Sequence, residues 1–207
     1  MEQVLQVYKR AYDPKRPVLC MDESSKQLIG ETRTPIQSKN GTWLYDYEYQ
    51  RMGTRSLFIG TEPLSGKRWV KVTESRKTED WVGFMQELLA HYQQAEQITV
   101  VMDNLNTHKA EAFYQYLPPD QARALLNRVE WVYTPEHGSW LNMAEIELSV
   151  LMGQCLDRRI PTAEKLEAEV MAWQRNRNQQ KVKIDWQFQN EEARTKLKHL
   201  YPTIIEC

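Results

Sequence analysis

Apolar positions along the chain fall into two periods, and the change between them outlines the fold. Pro17-Val18-Leu19-Cys20-Met21 is a compact apolar run that stops at Asp22-Glu23-Ser24-Ser25, as a buried strand with a polar carboxyl end does. Residues 54–60 and 68–73 read as two strands joined by the turn sequence Glu62-Pro63-Leu64-Ser65-Gly66. Residues 98–102 and 129–133 are two further short strands. Between these runs the spacing becomes helical: apolar side chains at 81, 84, 85, 88, 89 and 92 predict a helix over 78–93. Residues 109–128 predict a helix broken at Pro118-Pro119. A long helix is predicted over 139–156 and an amphipathic one over 162–178, with Thr162 as N-cap. The polar, turn-rich stretch 26–50 reads as a surface loop. Hairpin-like strands come first and strand–helix alternation follows, which predicts an α/β chain: a mixed sheet covered by helices. We read an N-terminal arm over 1–15 and one domain over 16–207 with a C-terminal helical extension.

Composition narrows the class. A chain of 207 residues can build a core without staples, and its 41% hydrophobic and 27% charged residues exclude a disordered polymer. Cys20, Cys155 and Cys207 are scattered, with no CxxC pair, so neither a disulfide framework nor a zinc site is expected. No apolar stretch approaches the roughly 20 residues of a membrane span, and Met1–Arg10 lacks the pattern of a signal peptide. A cytoplasmic protein without membrane contact is expected. The balance of 27 basic against 28 acidic residues gives a net charge of -1, which at face value speaks against coating nucleic acid by bulk charge.

The chemistry lies in the acids. Asp22 and Asp103 each follow an apolar strand core, at the strand edge where α/β sheets gather their sites. One such aspartate is commonly a loop residue or a helix cap. Two at equivalent positions would repel unless a cation joined them, and an all-carboxylate set suits Mg²⁺ or Mn²⁺. A third acid is expected from the helix over 139–156. At about 100° per residue, Asn142, Glu145, Ser149 and Gly153 share one polar stripe, while Glu147 and Gln154 point elsewhere. We take Glu145 as the site-facing acid and Glu147 as solvated; the reverse assignment stays open. His108 and His137 are ambiguous between loop and catalytic roles.

Three motifs carry a family resemblance: Met21-Asp22-Glu23-Ser24, Val101-Met102-Asp103-Asn104-Leu105-Asn106-Thr107-His108, and His137-Gly138-Ser139-Trp140-Leu141-Asn142-Met143-Ala144-Glu145. Together they resemble the acidic motifs of bacterial insertion-sequence transposases of the mariner-related DDE superfamily. The resemblance runs from about residue 16 to the C-terminus. It implies a ribonuclease-H-like fold, a metal-binding triad of Asp22, Asp103 and Glu145, a catalytic contribution from His108, and Asn104, Trp140 and Asn142 in the shell of the motifs. It further implies Mg²⁺ or Mn²⁺, in all two ions roughly 3.5–4 Å apart, serving DNA cleavage at element ends and strand transfer. Implied partners are transposon-end and target DNA, a second copy of the chain, and a separate helix-turn-helix protein or reading-frame partner. That last arises because only about twenty residues precede the first motif. The implied setting is the bacterial cytoplasm, at the nucleoid when acting.

DNA contact would then rest on local patches. Residues 66–77 carry Lys67, Arg68, Lys71, Arg76 and Lys77 against Glu74 alone, and residues 174–183 carry Arg175, Arg177, Lys181 and Lys183 with no acid. Trp140, Trp173 and Trp186 are read chiefly as packing residues. Two alternatives remain. One is a catalytically silent DNA-binding or assembly module. The other is a Mg²⁺-dependent phosphotransferase with Asp22 as nucleophile, weakened by Ser24 standing where a second aspartate is usual.

Overall fold

The computed structural model describes residues 1–104, 109–136 and 138–196. In chain order the elements are α1 (Glu2–Tyr8), β1 (Val18–Glu31), β2 (Ile36–Gln37), β3 (Trp43–Leu44), β4 (Tyr49–Glu62), β5 (Lys67–Thr73), α2 (Thr78–Ala90) and β6 (Ile98–Met102). They continue with α3 (Phe113–Tyr116), α4 (Pro119–Leu126), β7 (Val129–Tyr133), α5 (Met143–Leu151), α6 (Ala163–Gln180) and α7 (Asn190–Lys196). A 3-10 turn over Ser139–Leu141 leads into α5, and a π-turn over Met152–Leu156 extends it.

Five strands form one sheet in the order β5-β4-β1-β6-β7. The β5-β4-β1 part is antiparallel and the β1-β6-β7 part is parallel. This is the mixed sheet that the element order predicts. Side chains alternate across each strand, so the sheet has two apolar faces. Leu19, Met21, Phe58, Val100 and Met102 pack under α2, α3 and α4, where Trp81 meets Phe113 and Trp131. Cys20, Leu57, Ile59, Val70 and Val101 pack under α1, α5 and α6. The approach of α2 is close enough that Leu88 occupies the space a Cβ at Gly60 would need, 2.6 Å away. Pro118-Pro119 breaks the helical run as expected, with Pro119 opening α4 where its missing N–H costs nothing.

One expectation is corrected. About half of the stretch 26–50 is strand: β1 and β4 continue as an antiparallel ribbon as far as Glu31 paired with Tyr49, and β2 and β3 form a small hairpin beyond it. Residues 49–54 of β4 are exposed and, of the large side chains on the facing part of β1, only Leu28 reaches the core, so no apolar alternation marks the ribbon in the sequence. Within residues 1–15, α1 buries Val4, Leu5 and Val7 in the core, and α7 holds it through Glu2–Arg194 at 2.7 Å.

The exposed edge of β5 is covered by α6 through side-chain amides. The Val70 N–H donates to Gln174 Oε1 at 2.6 Å, the Arg68 N–H donates to Asn178 Oδ1 at 2.9 Å, and Asn178 Nδ2 donates to the Arg68 carbonyl at 2.8 Å. These bonds satisfy an edge that would otherwise template pairing with another chain. Among the described residues, no helix is long and apolar enough to cross a membrane.

Candidate active site

The site begins where β6 ends. Parallel pairing of β1 with β6 runs from Val18 opposite Thr99 to Cys20 opposite Val101. Asp103 follows Met102, the last residue of β6, and Asp22 lies two residues past Cys20 on β1, so both stand at the carboxyl end of β6. By the same two-residue spacing from Cys20 on β1, Asp22 shares the α5 face of the sheet. Asp22 is not at a strand terminus as expected. It sits within β1, at the point where the β6 partner stops and β1 continues on β4 alone, opposite Ile59.

Glu145 arrives from the first turn of α5, and Asn142 decides where that turn lies. The Asn142 side chain is fully buried. Its Oδ1 accepts the Ala144 N–H at 3.1 Å as an N-cap, and its Nδ2 donates to the Met21 carbonyl at 2.8 Å. One amide thus caps the helix and ties it to the strand one residue before Asp22. Tyr8 of α1 adds a second tie: its hydroxyl donates to the Leu141 carbonyl at 2.8 Å and accepts the Met143 N–H at 3.4 Å.

The charges of Asp103 and Glu145 are felt at the Asp22 carboxyl. Burial pushes the Asp22 carboxyl up to about 7, and the charges of Glu23, Asp103 and Glu145 push the same way. The Glu23 N–H, which donates to Asp22 Oδ1 at 2.8 Å, opposes the rise without cancelling it. The donors are oxygen only, the choice of a hard divalent cation, and such a cation would relieve the repulsion. They are not closed into a ligand set: among the described residues, no three His, Cys, Asp or Glu side chains stand close enough to hold a metal ion.

A family model for the DDE superfamily endonuclease matches residues 17–167. The chain belongs to this family. No curated protein matches it by sequence. Its fold is similar to the Mos1 mariner paired end complex with Mn, at a TM-score of 0.59 and 15% identity over 87% of this chain and 55% of that one. The Mos1 strand transfer complex gives 0.55 and 16% over 87% and 55%. The pre-cleavage Mos1 transpososome gives 0.56 and 16% over 90% and 60%. This DDE-family chain therefore spans 55–60% of the length of those proteins, and it shares their ribonuclease-H-like catalytic fold.

Within that fold the remaining expected residues sort unevenly. Asn104 is exposed next to Asp103, and Trp140 is 42% exposed with its ring edge-on to Phe188 at 5.5 Å. His108 and His137 lie outside the described residues. Lys67, Arg76, Lys77, Arg175, Lys181 and Lys183 are exposed, while Lys71 is partly covered and paired with Glu87 at 2.6 Å. Two expected DNA contacts are corrected. The Arg68 side chain is 0% exposed and Arg177 only 12%, because both are spent on Glu147, itself 1% exposed. Arg68 Nε lies 3.0 Å from Glu147 Oε2, and Arg177 Nη2 donates to Glu147 Oε1 at 2.9 Å. Glu147 therefore points inward, contrary to the solvated reading, while Gln154 is exposed as expected.

Signals for this network were present. Arg68 alternates with Val70 and Val72 along β5, and Arg177 continues the buried stripe of Leu166, Val170 and Trp173 on α6. A charge on an apolar stripe announces a buried partner.

Proposed function

We propose that this chain is the catalytic domain of a DNA transposase, which cleaves and joins DNA by metal-dependent phosphoryl transfer. The observation that carries the reading is the convergence of charge from Asp103 and Glu145 on the half-buried Asp22 carboxyl, beside the carboxyl end of β6. Asp22, Asp103 and Glu145 would hold Mg²⁺ or Mn²⁺. Bound there, the metal would polarise the phosphoryl oxygens and activate the attacking water or 3′-hydroxyl. Solved structures of similar fold include Mos1 complexes with Mn and with Mg. The chain's own part is placement. Asn142 ties the start of α5, which carries Glu145, to β1, and burial raises the Asp22 carboxyl toward neutrality, so a bound cation would compete with a proton there. His108 and Asn104 adjoin the second acid in sequence and would line the same edge.

DNA contact divides by position on the sheet. Arg76 and Lys77 follow the carboxyl end of β5, which runs parallel to β1 and so lies at the Asp22 end of the sheet. Lys67 pairs with Glu62 at the opposite end, where Lys181 and Lys183 also lie, beside the β4–β5 turn. We therefore assign phosphate contact near the site to Arg76 and Lys77. Working on paired DNA ends is in keeping with the paired end complex of similar fold, and a second copy of the chain and a helix-turn-helix partner are part of the same proposal.

The test is nicking of supercoiled plasmid DNA in Mn²⁺ by wild type and by Asp22→Asn, Asp103→Asn and Glu145→Gln. Nicking by the wild type and its loss in each variant is the expected result. Activity surviving all three changes refutes the site, and an inactive wild type that still binds DNA returns the silent assembly module.

A further inference from the structure

We propose that Glu147 is a positioning residue for the metal site, acting through Glu145, and that Arg68 and Arg177 serve it. This rests on the carboxylate site proposed above and adds what aims its third member. Glu147 stands two residues after Glu145 on α5, roughly 200° around the helix. It receives Arg68 from β5 and Arg177 from α6, so one carboxylate joins three elements. Both of its oxygens are engaged: Oε2 by Arg68 Nε at 3.0 Å and Arg177 Nε at 3.3 Å, Oε1 by Arg177 Nη2 at 2.9 Å and Arg68 Nη2 at 3.4 Å. The guanidiniums are themselves fixed. Arg68 Nη2 donates to the Val182 carbonyl at 2.6 Å, and the Arg177 guanidinium lies 5.4 Å from the Trp173 ring centre.

The apolar side chains Met143, Ala144, Leu148 and Leu151 seat α5 in the core, and non-directional packing of this kind fixes its rotation less sharply than polar bonds do. Asn142 fixes α5 to β1 before Glu145, and Glu147 fixes it to β5 and α6 after. The two attachments bracket Glu145, and together they set the direction in which its carboxylate leaves the helix. Neutralising Glu147 leaves two facing guanidiniums in a buried place, which repel, and α5 must shift to let water reach them. Stability alone would not need this arrangement, because well-packed apolar side chains commonly replace a buried ion network without loss.

The experiment measures Mn²⁺ binding from the EPR signal of the free ion, with no DNA present, for wild type, Glu145→Gln, Glu147→Gln and the triple variant Arg68→Met/Glu147→Leu/Arg177→Met. Thermal melts of each variant confirm that the folded chain is titrated. The expected result is roughly 10-fold or greater weakening for Glu147→Gln, the scale seen when the partners of metal ligands are removed. The triple variant, which repacks the site with apolar side chains, should melt near wild type and still bind Mn²⁺ weakly. Wild-type affinity in a folded Glu147→Gln or in the triple variant overturns the proposal, for then the network only holds the core. If Glu147→Gln does not fold, the triple variant decides alone. Wild-type affinity in Glu145→Gln refutes the carboxylate site itself, and the positioning role falls with it.

Discussion

Asp22→Asn should make the metal-free protein more stable at alkaline pH while abolishing any nicking. The carboxyl is raised from 3.8 to about 7, first by burial and then by its acidic neighbours. A raised acid binds its proton more tightly in the folded chain than in the unfolded one. Its contribution to stability is therefore complete below about pH 4 and lost as pH climbs through 7. At roughly 1.4 kcal/mol per pH unit the ceiling is about 4 kcal/mol. Asp22 is half-buried, so solvent and small shifts of its neighbours should reduce this to about 1–2 kcal/mol. Asparagine carries no charge, keeps an oxygen for the Glu23 N–H, and is close to isosteric. For a chain of this size the gain amounts to about 3–6 °C in Tm at pH 8. Melts of both proteins in EDTA at pH 4, 6 and 8 isolate the effect of Asp22 and its acidic neighbours, since carboxylates remote from it are common to the two. The gap should be near zero at pH 4 and widen steadily to pH 8. A variant less stable than wild type at pH 8, or a gap that ignores pH, would show that Asp22 is not held against an unfavourable charge.

Three other changes probe the frame. Asn142→Ala removes the cap of α5 and strands the buried Met21 carbonyl, so chemical denaturation should show a loss of about 2–3 kcal/mol; a loss under 0.5 kcal/mol would deny the clamp. Gly66→Ala must adopt φ near +72° and bring its Cβ to 2.5 Å from the Lys181 carbonyl carbon, for a cost of about 2–3 kcal/mol by the same measurement. Arg76→Ala/Lys77→Ala should reduce the slope of log affinity for duplex DNA against log salt by about 2, since each phosphate contact adds about 0.9. Lys67→Ala/Lys181→Ala/Lys183→Ala, at the other end of the sheet, should leave that slope unchanged; equal effects of the two sets would refute the assignment by sheet end.

What could be read from the sequence, and what could not, follows from the range of the interactions involved. The strands around Leu19 and Val100 are buried on both faces, so their apolar runs announce them without knowledge of any partner. Asp22 and Asp103 were legible for a related reason: each breaks such a run, and a shared edge is the simplest account of two breaks. The outer ribbon of β1 and β4 was not legible, because its strands bury little and are held by backbone bonds to each other, to which every residue type contributes alike. Glu147 shows a third case. On its own helix it is one of two acids separated by two positions, and helical geometry says only that they diverge. Which of them faces solvent depends on what the opposing elements bring, and here β5 and α6 each bring an arginine on an apolar stripe. Helix geometry alone therefore left solvent as the default for the acid that does not face the site. The structure shows instead that Glu147 faces two buried cations, on the side of α5 away from Glu145. It follows that two of the nine basic residues counted toward DNA belong to the interior, and that the near-zero net charge conceals an internal neutralisation as well as an acidic site. A surface tally of Lys and Arg overstates DNA contact wherever a buried carboxylate has claimed some of them first.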